Sequence, residues 1–202
     1  MPQDLAKFSN QDFDRGGSKF KEICWLVIRK HFFESSVLPW YRTRRFLLRS
    51  FGGRIGEHII VKPGVKITFP WKLTVGANSW LGEDAWLLNL AEIVIGDNVC
   101  ISQRAFICTG SHDWRDPAFK LITKPVTVED GVWVCADVFV APGVRIGKDS
   151  VVTTGSVVTR DLPANMICSG NPCKPVKPRV FVGQNSRGSV DISPDAAVNI
   201  GY

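Results

Sequence analysis

From Val128 to Asp161 an aliphatic residue returns at every sixth position: Val128, Val134, Val140, Ile146, Val152 and Val158. The residues between are small, polar or turn-forming, and the fifth place of each hexad holds Val, Ser or Leu. An amphipathic helix needs apolar residues about 3.6 apart, so a spacing of six would throw successive anchors onto opposite faces. Short strands joined by turns accommodate it. The pattern predicts a hexapeptide β-solenoid.

The same rule runs upstream through Ile55, Val61 and Ile67, then Val75, Leu81 and Leu87, then Ile95, Ile101 and Ile107, with a slip of two residues between groups. About fifteen hexads result, where roughly three repeats suffice to build a continuous core. Three hexads make one triangular turn, so about five turns are expected over residues 54–170. Ile107 and Val128 lie 21 residues apart where 18 would keep the phase. Residues 111–127 are therefore read as an excursion loop, and a long loop leaving a rigid scaffold is where function tends to sit.

Ahead of the solenoid, residues 1–18 are polar and close on Gly16-Gly17-Ser18, which suggests a flexible lead with Ser18 placed to cap a helix. Phe20–Phe33 and Trp40–Phe51 read as two short helices broken at Pro39, giving a helical segment over 19–53. They combine Arg42, Arg44, Arg45 and Arg49 with Trp25, Phe32, Phe33, Trp40 and Phe46. That mixture suits peripheral contact with a membrane or packing over the solenoid's open end, and the second is preferred because that end exposes strand edges and core. Residues 171–202 form a C-terminal extension in which Pro172, Pro175 and Pro178 are expected to stop regular structure.

A hydrophobic fraction of 45% against 22% charged residues argues for a real core. The net charge of +6 would suit nucleic acid, an anionic membrane or a polyphosphate-bearing small molecule and does not choose among them. Six cysteines without a CxxC pair read as buried free thiols of a reducing compartment. No cleavable leader is recognised in the opening residues. Walker and dinucleotide fingerprints are missing, so nucleotide hydrolysis and hydride transfer lack support.

Ile95-Gly-Asp-Asn-Val, Thr109-Gly-Ser-His112, Val132-Trp-Val, Ala141-Pro-Gly-Val-Arg-Ile-Gly and Gly170-Asn-Pro-Cys-Lys resemble the sugar O-acetyltransferase branch of the hexapeptide-repeat acyltransferases. Phe69-Pro-Trp, Asn89-Leu-Ala and Ile101-Ser-Gln look closer still to acetyltransferases of colanic acid and exopolysaccharide biosynthesis. The resemblance covers roughly Arg54 to Arg179. It implies an all-β, left-handed parallel β-helix, a homotrimer with sites between subunits, acetyl-coenzyme A as donor and a sugar or glycan hydroxyl as acceptor. It also implies a cytoplasmic or membrane-peripheral setting and no nucleic-acid partner.

An alcohol is a weak nucleophile at neutral pH and needs a base, a task suited to histidine with its ordinary pKa of about 6.5. His31 falls in the helices and His58 in the first turn, whereas His112 opens the excursion loop and matches the family's catalytic histidine. The expected step is direct attack, with a backbone N–H stabilising the oxyanion. A cysteine acyl-enzyme through Cys108 or Cys135 is the competing route, disfavoured because both occupy apolar repeat positions. For the acceptor, Leu90 stands where relatives carry an Asp, so Asn89 is the substitute candidate, with an internal-ladder role equally open. Asp113 is a candidate to orient the imidazole, although a backbone carbonyl would serve, and Trp114 to offer a flat face to a sugar. By resemblance, Ala136, Thr154, Gly155 and Thr159 follow the path of coenzyme A, and Arg160, Lys174 and Lys177 suit its phosphates.

A zinc hydratase of this fold would need three converging histidines, which His31, His58 and His112 are too scattered to supply, so no metal is expected. A non-catalytic scaffold would have no use for His112 and its loop. Acetylation of serine, an amino sugar or an antibiotic stays open.

Overall fold

The computed structural model describes residues 3–34 and 40–181. Over residues 54–170 the chain winds as a parallel β-helix with three faces. The first face stacks Arg54–Ile55, Leu73–Val75, Ile93–Ile95, Val126–Val128 and Arg145–Ile146. The second stacks Ile60–Val61, Trp80–Leu81, Cys100–Ile101, Trp133–Val134, Val151–Val152 and Met166–Gly170. The third stacks Lys66–Ile67, Trp86–Leu88, Phe106–Cys108, Phe139–Val140 and Val157–Val158. Every neighbouring pair within these stacks is parallel. The five expected turns are present, and Leu162, bridged to Ile146, begins a sixth.

The sixth-position anchors all point inward: Val61, Ile67, Leu81, Leu87, Ile101, Ile107, Val128, Val134, Val140, Ile146, Val152 and Val158 are fully buried. The fifth-place residues sit at the corners, where little room remains, hence Ala85, Ala105, Ser79, Ser150 and Ser156 beside the valines. Two corners turn through residues in the left-handed region. Non-glycine side chains there are His58, Asn78, Asn98, Asp149 and Asn165 at one corner and Asp84, Arg104 and Asp137 at the other. Asn and Asp tolerate that conformation best. His58 is thus an exposed corner residue.

The third edge, between the third and first faces, is irregular, and the two-residue slips fall there. It holds a 3-10 turn at Pro70–Lys72 in the first turn and residues 89–92 in the second. In the third turn it opens into an antiparallel hairpin, Gly110–His112 against Leu121–Thr123. The excursion is narrower than expected, because Val126–Val128 pairs fully with Ile93–Ile95 and returns residues 126 and 127 to the solenoid.

Helix α1, Lys19–Ile28, is capped by Ser18, whose hydroxyl accepts from Lys21 N at 3.2 Å. One π-helical turn, Arg29–Phe33, continues it, and α2 spans Tyr41–Ser50. The break expected at Pro39 lies outside the described residues. Trp25, Phe33 and Leu48 are buried over the first turn, and Trp25 Nε1 donates to Ile67 O at 2.9 Å. Arg44 is equally buried, with Nε donating to Phe32 O and Nη1 to Val61 O. Packing over the open end is therefore what one side of these helices does.

The lead departs from the expected flexibility. Asp4 N donates to Pro117 O at 2.8 Å, Trp71 Nε1 to Arg15 O at 2.7 Å, and Lys72 Nζ reaches Asp14 O. The lead is thus tied along the third edge. At the other end Cys173–Pro178 forms an antiparallel strand on Met166–Gly170, so the prolines do not end regular structure at 171. They lie on an outer strand, where a missing N–H is tolerated. The rest of the extension, 182–202, lies outside the described residues.

Candidate active site

The hairpin of the third turn is fixed at its base by Thr109. Its buried hydroxyl donates to Leu88 O at 2.8 Å and accepts from Ala91 N at 2.9 Å, while its carbonyl accepts from Lys124 N. Three residues on, His112 pairs in register with Leu121. The loop tip returns through Phe119, a non-glycine residue at φ 54°. This turn aims the Phe119 carbonyl back at the imidazole, 2.8 Å from Nδ1. A carbonyl only accepts, so Nδ1 carries the hydrogen and Nε2 keeps its lone pair. The Phe119 ring stacks on the imidazole and Phe8 of the lead meets it edge-on at 5.6 Å.

His112 lines a cavity of about 340 Å³ with Phe8, Glu22, Trp25, Arg29 and Thr68. A second cavity, about 480 Å³, lies beside it between residues 9–14 and Lys72, Leu90 and Lys120. Two residues lining the first each carry a buried polar atom with no hydrogen-bond partner among the described residues, Glu22 Oε1 and Arg29 Nε. Glu22 Oε2 accepts from Arg15 at 2.8 Å. Arg29 Nε stands 3.1 Å from Glu34 Oε1, an ion pair whose alignment falls short of a hydrogen bond. Burial holds the Lys72 ammonium below its usual range, against the opposing pull of Asp14, Glu22 and Glu92. Lys72 Nζ donates to Leu90 O at 2.7 Å.

The structure redistributes the expected acceptor contacts. Asn89 is fully buried: its Oδ1 accepts from Thr68 N and Phe69 N at 3.0 and 2.9 Å, and Nδ2 donates to Phe69 O. An amide spent on the neighbouring turn's backbone has nothing to offer an acceptor, so Asn89 is the ladder residue. Asp113 turns away from the imidazole. Its Oδ1 accepts from Arg115 N at 3.0 Å, and that bond with the Arg115 guanidinium holds the carboxyl below its usual range. The Phe119 carbonyl does the orienting instead. Trp114 is 81% exposed under the Arg115 guanidinium and does not line the cavity of His112.

Of the residues expected along coenzyme A, Ala136, Thr154 and Gly155 meet at one corner, where Gly155 N donates to Ala136 O at 3.0 Å. Gly155 has φ +70° and open space beyond its Cα. Thr159 and Arg160 are exposed on the edge that also carries His112, two turns further along. Lys174 and Lys177 are exposed on the antiparallel strand Cys173–Pro178. The structure therefore gathers three of the seven and spreads four.

The thiols fit no nucleophile's role. Burial pushes Cys135 up to about 11 and raises Cys108 as well, opposed in Cys108 by a hydrogen bond of the Gly110 backbone. Neutral buried thiols attack poorly. His31 is engaged with Val27 O in its own helix. No cluster of three metal-ligating side chains occurs among the described residues.

Glu22, Arg29, Thr68 and the lead were not singled out by the sequence. Phe8 and Phe13, two aromatics in an otherwise polar stretch, were the available signal that the lead docks on something.

A hexapeptide β-helix whose irregular edge carries a histidine facing a cavity has the architecture of an acyltransferase. No family model matches the chain. It is 44% identical over 178 residues to Escherichia coli WcaF, named as a colanic acid biosynthesis acetyltransferase, with 88% of this chain and 98% of that protein covered. The E. coli galactoside O-acetyltransferase is 28% identical, covering 81% and 86%. Among solved structures, the hexapeptide-repeat acetyltransferase VCA0836 of Vibrio cholerae matches with a TM-score of 0.73 at 27% identity, covering 81% and 93%. Its complex with acetyl coenzyme A matches at 0.72 and 26%, covering 81% and 87%. The chain belongs to the hexapeptide-repeat acetyltransferase family of these relatives, and its coil is left-handed.

Proposed function

We propose that the protein transfers the acetyl group of acetyl-coenzyme A to a hydroxyl of a sugar or polysaccharide precursor, with His112 as general base. The observation that carries this reading is the commitment of His112 Nδ1 to the Phe119 carbonyl, which leaves Nε2 to act in a cavity that also holds a carboxylate. Nε2 takes the acceptor hydroxyl proton as the oxygen bonds to the thioester carbon, and the carbonyl electrons move onto oxygen. Collapse breaks the C–S bond, and the imidazolium returns its proton to the departing thiolate. Glu22, which lines this cavity and has one oxygen without a hydrogen-bond partner among the described residues, takes over from Asn89 as the residue offered to acceptor hydroxyls.

The acetyl-coenzyme A complex of VCA0836 supports the donor. The galactoside O-acetyltransferase supports a sugar hydroxyl. Ala136, Thr154, Gly155 and Thr159 serve the path of the donor, with Arg160, Lys174 and Lys177 toward its phosphates. A homotrimer would bring that corner of one subunit to the His112 edge of the next. The partly exposed aromatics Trp80, Trp86 and Trp133 on the outer faces favour such packing.

The test is His112→Ala, assayed by thiol release from acetyl-coenzyme A over a panel of free, nucleotide-linked and lipid-linked sugars. Turnover should fall at least about a hundredfold with coenzyme A affinity retained. Wild-type turnover would overturn the role of His112. Turnover with serine or an antibiotic, and with no sugar, would overturn the acceptor class.

A further inference from the structure

The surplus charge of this chain is concentrated in one place. Residues 19–51 contain eight Lys and Arg against two Glu, an excess of six that equals the net charge of the whole chain. The rest of the chain is neutral in sum.

The two helices of that segment have opposite sides of different character. One side is buried against the solenoid through Trp25, Arg44 and Leu48. On the other, α1 presents Phe20, Ile23, Leu26 and Val27, and α2 presents Phe46, all between 51 and 76% exposed. Positions 20, 23 and 27 follow the three-and-four spacing of a single helical stripe, about half a turn from Trp25. Exposed cations lie with them: Lys19 on α1, Lys30 on the π-helical turn that continues it and Arg42 on α2. Glu22 and Glu34, the only acids of the segment, are turned inward and paired with Arg15, Arg29 and Lys30. No helix among the described residues is long and apolar enough to cross a membrane.

We propose that this outward side is an interfacial docking surface for anionic lipid. An apolar stripe set among exposed cations, with the segment's two acids turned inward, is complementary to a surface with acyl chains beneath and negative headgroups above. A second copy of the chain is the poorer occupant, since a two-fold contact would place one cationic side against another. The solenoid is no candidate, because the opposite side of the same helices already covers it. The surface also has a place relative to the chemistry: Glu22, Trp25, Leu26 and Arg29 of the docked segment line the cavity of His112. A lipid-bound enzyme thus holds that cavity beside the membrane. The docking itself does not rest on the role given to His112.

Cosedimentation of the full chain with vesicles tests the proposal without turnover. Vesicles containing phosphatidylglycerol should bind at low salt, and pure phosphatidylcholine about tenfold more weakly, as should high salt. The variant Phe20→Ser/Ile23→Ser/Val27→Ser should lose at least about tenfold in vesicle affinity, since interfacial binding scales with buried apolar area. Lys30→Glu/Arg42→Glu should lose anionic selectivity. Both should keep the wild-type melting curve and acetyl transfer to a soluble acceptor. Equal binding to both vesicle types, no binding, or wild-type binding by the apolar variant would overturn the proposal. So would a changed subunit number for that variant in sedimentation velocity, which would assign the stripe to a contact between copies.

Discussion

The imidazole of His112 lies flat on the ring of Phe119, centroids 4.1 Å apart and planes 7° from parallel, and its Nδ1 stands 2.8 Å from the carbonyl of the same residue. One residue therefore fixes ring plane, tautomer and direction together. It does so from a left-handed backbone conformation that costs an L-residue about 1–2 kcal/mol.

Phe119 should behave as a positioning residue. Phe119→Ala keeps the carbonyl and removes the stacking face, so kcat should drop about tenfold, some 1.4 kcal/mol, while the KM for acetyl-coenzyme A holds. Phe119→Tyr should restore kcat. Steady-state kinetics of the pair decide it: equal losses in both variants would mean that the ring does not orient the base.

The solenoid was legible because its period is long, regular and enforced by burial, so each inward anchor announces itself. What the sequence hid was every contact between distant segments. Nothing in residues 1–18 states that Asp4 will pair with Pro117 or Trp71 with Arg15, and a polar, glycine-ended stretch reads as loose. Asp113 beside His112 invites a carboxylate–imidazole pair, but its nearest cation is two residues on, and a local turn wins. Proline in Cys173–Pro178 reads as a stop because a sequence does not show which strand is outermost.

Asn89 carries a stability prediction. Asn89→Ala leaves Phe69 N and O buried without their side-chain partner, at about 1–3 kcal/mol for each unsatisfied group. Urea unfolding should show a loss of about 2–4 kcal/mol, and the acceptor KM of the folded enzyme should stay within about twofold. Unchanged stability with a KM raised tenfold would return Asn89 to the acceptor site.

The buried thiols predict an alkaline weakness. Burial lifts Cys135 and Cys168 from 9.0 to about 11 in the folded state. The unfolded chain gives up these protons first, so the stability they confer is whole below about pH 9 and lost as pH rises toward 11. At 1.36 kcal/mol per unit the loss is at most about 2–3 kcal/mol per thiol. Denaturant titrations across this range should fall less steeply for Cys135→Ala/Cys168→Ala. An identical slope would show that other groups govern alkaline unfolding.

Gly110 and Leu90 couple the hairpin to the cavities. A Cβ on Gly110 would lie 2.7 Å from Leu90 Cδ1, closer than side chains approach, and Leu90 borders both cavities. Gly110 also opens the strand that ends at His112, so its backbone cannot retreat without carrying the imidazole. Gly110→Ala should therefore cost activity, about tenfold in kcat, either by moving His112 from its cavity or by driving Leu90 into it. Leu90→Ala alone enlarges the cavity and should act chiefly on acceptor KM. If the contact is the cause, Gly110→Ala/Leu90→Ala should recover most of the lost kcat, with a coupling of about 0.5–3 kcal/mol between touching residues. Additive losses in that cycle would show that Gly110 matters for its backbone alone.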